Sequence, residues 1–294
     1  MPELPDVTVY TERIGALASG TLLQHVRIVN PFVLRTAVPP IASLEGRRLQ
    51  GARRLGKRIV LEFDDDLHLV LHLMRAGRLR WLSPGAKLPG KMTLAALDFE
   101  AGSLVFTEAG TKRRASMHLV VGDAALAAFD AGGLEVLEAD LATFAARLRS
   151  ENHTLKRSLT APHLMSGIGG AYSDEILHRA RLSPIAHSKD LGDDEIERLY
   201  HAVRDVLTEW TVRLRDETGR GFPEKVTAFR KGMAVHGRFG EPCPVCGTPV
   251  QRIVYADTET NYCPRCQTAG RVLADRALSR LLKSSWPRSV DELE

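Results

Sequence analysis

The residues best suited to chemistry stand at the start of the chain, in Met1-Pro2-Glu3-Leu4-Pro5-Asp6-Val7. Removal of Met1, which a small second residue permits, would leave the ring nitrogen of Pro2 as a terminal secondary amine. A terminal amine titrates near 7.7 to 8.0 and a lysine near 10.4, so at about pH 7.5 roughly a third of the former is unprotonated against about 0.1% of the latter. Such an amine forms a Schiff base with an aldehyde-bearing carbon, and the adjacent Glu3 supplies a carboxyl that can shuttle protons. The bland alternative is that Met-Pro opens many chains and that Pro5 only starts a helix. A second set is Cys243, Cys246, Cys263 and Cys266, two C-x2-C knuckles with sixteen residues between the inner pair. This is the spacing of a zinc ribbon. Four thiolates complete a tetrahedral ion and leave no open position, so one structural zinc is expected. A redox C-x2-C is disfavoured by the duplication and by the lack of a βαβ context.

The elements that must position these groups follow from periodicity. Behind Pro5, Val7, Tyr10, Ile14 and Leu17 recur every three or four residues and Gly20 follows, which predicts one amphipathic helix. From about residue 21 to 121 the pattern changes to short apolar segments: TLLQHVRIV, RIVLEF, LHLVLHLM, GRLRWL, MTLAALDF, SLVFTE and MHLVV. Asp64-Asp65-Asp66 and Glu100-Ala101-Gly102 separate pairs of them as turns would. Sequential strands with short connections predict an antiparallel sandwich or barrel.

Helical stretches are expected around 123 to 149, 152 to 160, 171 to 182 and 192 to 216, the last with Ile196, Leu199, Val203, Val206, Leu207, Trp210 and Leu214 as a core stripe. Between two of them, Met165-Ser166-Gly167-Ile168-Gly169-Gly170 opens onto a helix. Such a turn lets backbone N–H groups approach a phosphate, although a tight helix connection needs glycine anyway. Residues 216 to 231 read as a polar loop. Strands at about 249 to 255 and 258 to 263 form a hairpin between the knuckles, and 270 to 294 make a helix-like tail.

At 294 residues the chain has room for about two domains with cores of their own. The net charge is +4 and the isoelectric point near 8.9, but the distribution says more. RRLQGARRLGKR, residues 47 to 58, carries six basic side chains and no acidic one, and Lys112-Arg113-Arg114 is a second cluster. Each fits a polyanionic partner or simply a solvated face. No apolar run of about 18 residues and no signal-like start is present, and the cysteines are paired for metal rather than scattered. A cytoplasmic protein is expected.

In combination and order these features resemble the formamidopyrimidine-DNA glycosylase and endonuclease VIII family: MPELPDV, a β-sandwich, a helical domain with a glycine turn, then GRFGEPCPVCGTPV and YCPRCQ. The resemblance covers about residues 1 to 267. It implies an α+β multidomain fold: an N-terminal helix plus antiparallel β-sandwich over 1–122, a helix-two-turn-helix domain over 123–240, a zinc ribbon over 241–270 and a tail over 271–294. It implies a bacterial-type, nucleoid-associated monomer acting on damaged double-stranded DNA. Family members flip an oxidised base from the duplex, attack the sugar C1′ with the terminal proline, and cleave the strand by β- and δ-elimination. By position, Pro2 would be the nucleophile, Glu3 the acid-base group, and Lys57 the lysine at a strand start that contacts the phosphate beside the lesion. Residues expected to face DNA are His72, Met74, Arg75, Arg114, Lys156, Gly169, Gly170, Glu175, Thr258 and Arg265.

Several positions depart from the family pattern. Asp6 replaces a glutamate, Gly170 a phosphate-binding asparagine, and Thr258 the ribbon arginine that grips phosphates. HLMRAGRL offers either Met74 or Arg75 to fill the gap left by a flipped base, and EAGTKRRASM lacks the usual arginine-phenylalanine pair. Arg252, Arg265 and Lys112-Arg113-Arg114 are candidate replacements. Two readings follow: a glycosylase with lyase activity and altered lesion preference, leaning to oxidised purines, or a binder of damaged or structured DNA in which excision has faded. Arg271, Arg276, Arg280 and Lys283 of the tail would touch DNA or cap the ribbon.

Overall fold

The structure is a computed structural model that describes residues 1–224, 226–255, 258–274, 281 and 287–293. The chain forms two compact units, Met1–Ala131 with Trp210–Thr227, and Gly132–Glu209 with Ala228–Glu294.

The first unit opens with α1 (Leu4–Ala18) and continues through β1 (Leu23–Ile28), β2 (Leu49–Leu55), β3 (Arg58–Phe63), β4 (Leu67–His72), β5 (Gly77–Leu82), β6 (Thr93–Phe99), β7 (Gly102–Glu108) and β8 (Ser116–Val121). These make two antiparallel four-stranded sheets, ordered β1-β6-β7-β5 and β2-β3-β4-β8. Val7, Tyr10, Ile14 and Ala18 of α1 share one core with Ile59, Leu61, Leu69, Leu97 and Phe106, so the helix stripe and alternate strand residues meet as their periods require. The outward residues Val60 and Val70 are also buried, with Leu126 of α2 (Gly122–Ala127).

One strand was not visible in the apolar pattern. β2, LQGARRL, falls in the basic run, and of its residues only Leu49 is fully buried. It is an edge strand whose backbone ladder to β3, from Leu49↔Phe63 to Leu55↔Arg58, does the pairing that an apolar face does elsewhere. The run is also less free than its composition implied. Arg53 meets Glu62 at 2.6 Å, Arg47 meets Asp65 at 2.9 Å, and Arg58 donates to the Phe129 carbonyl at 3.0 Å.

The second unit carries α3 (Leu141–Arg149), α4 (Leu155–Thr160), α5 (Gly170–Ala180), the first part of α6 (Asp193–Thr218), the hairpin β9 (Gln251–Tyr255) and β10 (Thr258–Tyr262), and α7 (Pro264–Thr268). The expected stripe on α6 is buried throughout. The expected helix over 123 to 149 is instead two, α2 and α3. Gly132 takes φ +72°, a Cβ on Gly133 would lie 2.2 Å from the Pro162 carbonyl, and Leu134 pairs in extended form with Met165. An extended pairing of this kind removes the helical ladder between the two pieces. In the tail, Arg271 pairs with Ser289, whereas Arg276, Arg280 and Lys283 lie outside the described residues. Among the described residues no helix is long and apolar enough to cross a membrane.

Candidate active site and nucleic-acid interface

Glu3 is the N-cap of α1 and is buried, with Asp6 accepting its backbone N–H at 2.9 Å. Asp6 thus closes the first turn from three residues on, which accounts for a carboxylate there and for its short reach. Pro2 is buried beside it. With Met1 in place the terminal amine lies one residue ahead of the Pro2 nitrogen that would react after its removal. Burial pushes this amine below its ordinary value of 8.0; the charges of Arg78 and Lys57 act in the same direction, and Glu3 and Asp6 oppose them. These four side chains are therefore the electrostatic surroundings of the terminus.

Lys57 stands in the two-residue hairpin that joins β2 to β3, behind Gly56 at φ +59°, the conformation glycine supplies at such a turn. His72 ends β4 opposite Arg58 and Ser116. Burial, then Arg58, Lys57 and His118, pull His72 down to about 4, so its imidazole is neutral at pH 7. Met74 and Arg75 form the tip of a tight turn closed by the Gly77 N–H on the Leu73 carbonyl at 2.8 Å. Met74 sits there at φ +52°, half-buried, and Arg75 is exposed. Gly77 is required, because a Cβ would lie 2.2 Å from the Leu73 oxygen.

Two residues of this unit were missed by the sequence reading. Arg78 donates to the carbonyls of Val226, Gly77 and Arg75, linking the terminus to the segment after α6. Glu108 is buried at the end of β7, where its carboxylate accepts from the N–H groups of Arg114 at 3.0 Å and Ala115 at 3.1 Å. It anchors the loop that exposes Lys112, Arg113 and Arg114. Its signal was a carboxylate at the end of the strand GSLVFTE, two residues before Gly110 and shortly before Lys112-Arg113-Arg114. The 216 to 231 segment is likewise anchored at its start: α6 runs to Thr218, Phe222 packs 5.5 Å from Tyr10 by ring centroids, and Val226 joins the core.

In the second unit Gly169 is the N-cap of α5 and Gly167 takes φ +80°. Lys156 Nζ donates to the Gly170 carbonyl at 2.7 Å and to Asp174 Oδ1 at 2.5 Å, and Asp174 Oδ2 meets His236 Nδ1 at 2.7 Å. Glu175, 6% exposed, accepts from the N–H groups of Ala234, Val235 and His236 at 2.6 to 2.9 Å. Burial raises its pKa against the pull of the three amides. The carboxylate therefore holds a turn of backbone. Thr258 spends its hydroxyl on the Tyr255 carbonyl at 3.0 Å. Arg252 lies 4.2 Å over the Phe239 ring and 3.3 Å from Glu259, and Arg265 is exposed on α7.

The sulfurs of Cys243, Cys246, Cys263 and Cys266 all lie within 4.8 Å of one another. Three of the separations are 3.9, 3.4 and 3.5 Å. Zinc–sulfur bonds of about 2.3 Å place tetrahedral sulfurs roughly 3.8 Å apart, so the four residues fit a closed zinc site.

Comparison with known proteins agrees along the chain. Family models for the formamidopyrimidine-DNA glycosylase N-terminal domain, its H2TH domain and the zinc finger found in FPG and IleRS match residues 1–116, 133–219 and 240–269. A formamidopyrimidine-DNA glycosylase of Thermus thermophilus is 34% identical over 286 residues, covering 92% of this chain and all of that protein. A formamidopyrimidine-DNA glycosylase-like protein of Mycobacterium tuberculosis is 40% identical over 151 residues, which is 51% of this chain and 94% of that one. The Lactococcus lactis Fpg in complex with abasic-site DNA superposes with a TM-score of 0.80 at 25% identity, covering 90% of this chain and 99% of that one. The chain belongs to the formamidopyrimidine-DNA glycosylase family, DNA glycosylases of base-excision repair. Its C-terminal cysteines form that family's zinc finger and hold one structural zinc.

Proposed function

We propose that this chain excises an oxidised purine from duplex DNA and then cleaves the strand at the resulting site. The observation that carries the reading is the placement of the terminus: Pro2 is buried next to the buried Glu3, and Glu3 and Lys57 are among the charges that act one residue ahead, at the half-buried Met1 amine. Once Met1 is removed, the Pro2 nitrogen donates its lone pair to C1′ of the damaged nucleotide. The glycosidic C–N bond breaks and the base leaves with its electron pair. Glu3 moves the protons that open the sugar and set up β- and δ-elimination from the iminium. Lys57 and neutral His72 bind phosphate oxygens beside the lesion.

The basic loop held by Glu108, the α5 N-terminus and exposed Arg265 supply further backbone contacts, which position DNA without reading its sequence. In this assignment residues 1–122 carry the chemistry, and 123–240 with 241–270 carry most of the grip. Glu175 and Asp174 support that grip by holding residues 234 to 236 rather than by touching DNA. The substrate assignment draws on solved relatives, a MutM bound to carbocyclic 8-oxo-G DNA and a Lactococcus lactis FPG mutant bound to Fapy-dG DNA.

Thr258 and Arg252 favour a second reading. The hydroxyl of the one and the guanidinium of the other are occupied within the ribbon, so the hairpin offers DNA less than an unengaged arginine would. In that reading the protein binds damaged DNA and excises poorly. Borohydride trapping on an abasic duplex separates the two, because abasic DNA bypasses lesion choice. An adduct formed by protein whose mass lacks Met1, and lost or weakened in Pro2→Gly, supports the enzyme. Zinc-loaded protein that binds the duplex yet gives no adduct supports the binder.

A further inference from the structure

His178 lies in the last turn of α5, is buried, and places Nε2 3.3 Å from Cys243 Sγ. A zinc-bound thiolate carries no proton and can only accept, so the imidazole nitrogen facing it must carry the hydrogen. We propose that His178 is an outer-sphere partner of the zinc, its Nε2–H donating to the Cys243 thiolate and slowing loss of the metal. Cys243 is itself buried, 3% exposed, so a protein donor takes the place that water holds at an exposed sulfur.

The same end of α5 grips the other knuckle. Gln267 accepts the Cys263 N–H at 2.8 Å through Oε1 and donates through Nε2 to the Leu182 carbonyl at 2.9 Å. One knuckle is thus tied through its sulfur and the other through its backbone. Donation to a coordinated thiolate satisfies a buried sulfur acceptor and holds the first knuckle in its coordinating geometry. Partners of this kind are worth about 10- to 100-fold in metal affinity. The inference rests on the four-cysteine site and is independent of which reaction the terminus performs.

The test is zinc release from the full-length protein to a chromogenic chelator, with the charge-transfer band of the cobalt-substituted protein as a second readout. His178→Phe keeps a flat ring and removes the donor, whereas His178→Gln keeps an N–H donor. His178→Phe should lose zinc about tenfold faster or more and shift the thiolate-to-cobalt band, and His178→Gln should remain near wild type. Release from His178→Phe within about twofold of wild type, with an unmoved band, would overturn the proposal. Equal acceleration in both variants would also overturn it, since packing rather than donation would then be responsible. Should the variants not fold, wild-type protein loaded with an NMR-active cadmium isotope decides: a slowly exchanging His178 Nε2–H coupled to the metal supports the bond, and its absence refutes it.

Discussion

Asp174 and His236, sixty-two residues apart in sequence, meet at 2.7 Å, and the second oxygen of the same carboxylate takes Lys156 at 2.5 Å. Asp174 is 1% exposed, so this carboxylate depends on its partners for the solvation that water would otherwise give. Replacement by alanine leaves Lys156 partly buried without its anion. Asp174→Ala should cost about 3 to 5 kcal/mol of stability. A zinc-loaded protein whose urea midpoint does not move would remove the network from the account of this fold.

Lys57 occupies a hairpin turn rather than the core, so its loss should affect chemistry more than folding. Lys57→Ala is expected to lower lyase turnover on an abasic duplex by about tenfold or more, in line with loss of one charge-assisted contact. Its melting temperature should stay close to wild type. Single-turnover rates equal to wild type would mean that the phosphate lies elsewhere.

The open space at Gly170 makes a gain possible. A Cβ there meets nothing within 4 Å, and the residue begins α5 with no left-handed requirement. Gly170→Asn should therefore fold normally and bind an abasic duplex several-fold tighter in fluorescence anisotropy, roughly the worth of one neutral hydrogen bond. Binding that is unchanged would show that this helix start does not face the backbone of the DNA.

His72 gives a pH signature. Its value in the folded chain is about 4 against an ordinary 6.5, so between those limits the unfolded chain holds a proton that the folded chain refuses. Stability contributed in this way is complete above pH 6.5 and is lost as the pH falls toward 4. His72→Gln should lose less in melting temperature than wild type between about pH 7 and pH 5, with zinc bound throughout. Parallel curves for the two proteins would assign the acid sensitivity to other groups.

Glu108 makes the last prediction. Removal of its carboxylate orphans the N–H groups of Arg114 and Ala115, a cost of about 1 to 3 kcal/mol. Glu108→Ala should also weaken duplex binding, because the arginines of its loop would lose their fixed positions. A stability loss with affinity intact would confine Glu108 to folding.

How much of this was legible in sequence depends on the range of the interaction. The cysteine spacing, the α1 and α6 stripes, the hairpin turns at Asp64 to Asp66 and at Glu100-Ala101, and the Pro2-Glu3 pair are local, and each could be read from neighbours a few residues away. The edge strand β2 could not, because its stability comes from a backbone ladder to β3 that leaves little apolar trace. Nor could the separation of α2 from α3, which the Leu134–Met165 pairing imposes. The site divides along the same line. Which groups could react and which could hold a metal was readable from residue type and short spacing. How they are engaged follows from long-range packing: the charge of Arg78 acting on the terminal amine, Glu108 under a basic loop, Glu175 turned to backbone amides, and His178 against a cysteine sulfur. The Glu175 and His178 contacts join residues some sixty positions apart in buried places, where an unmet charge or hydrogen bond costs enough that the fold must meet it.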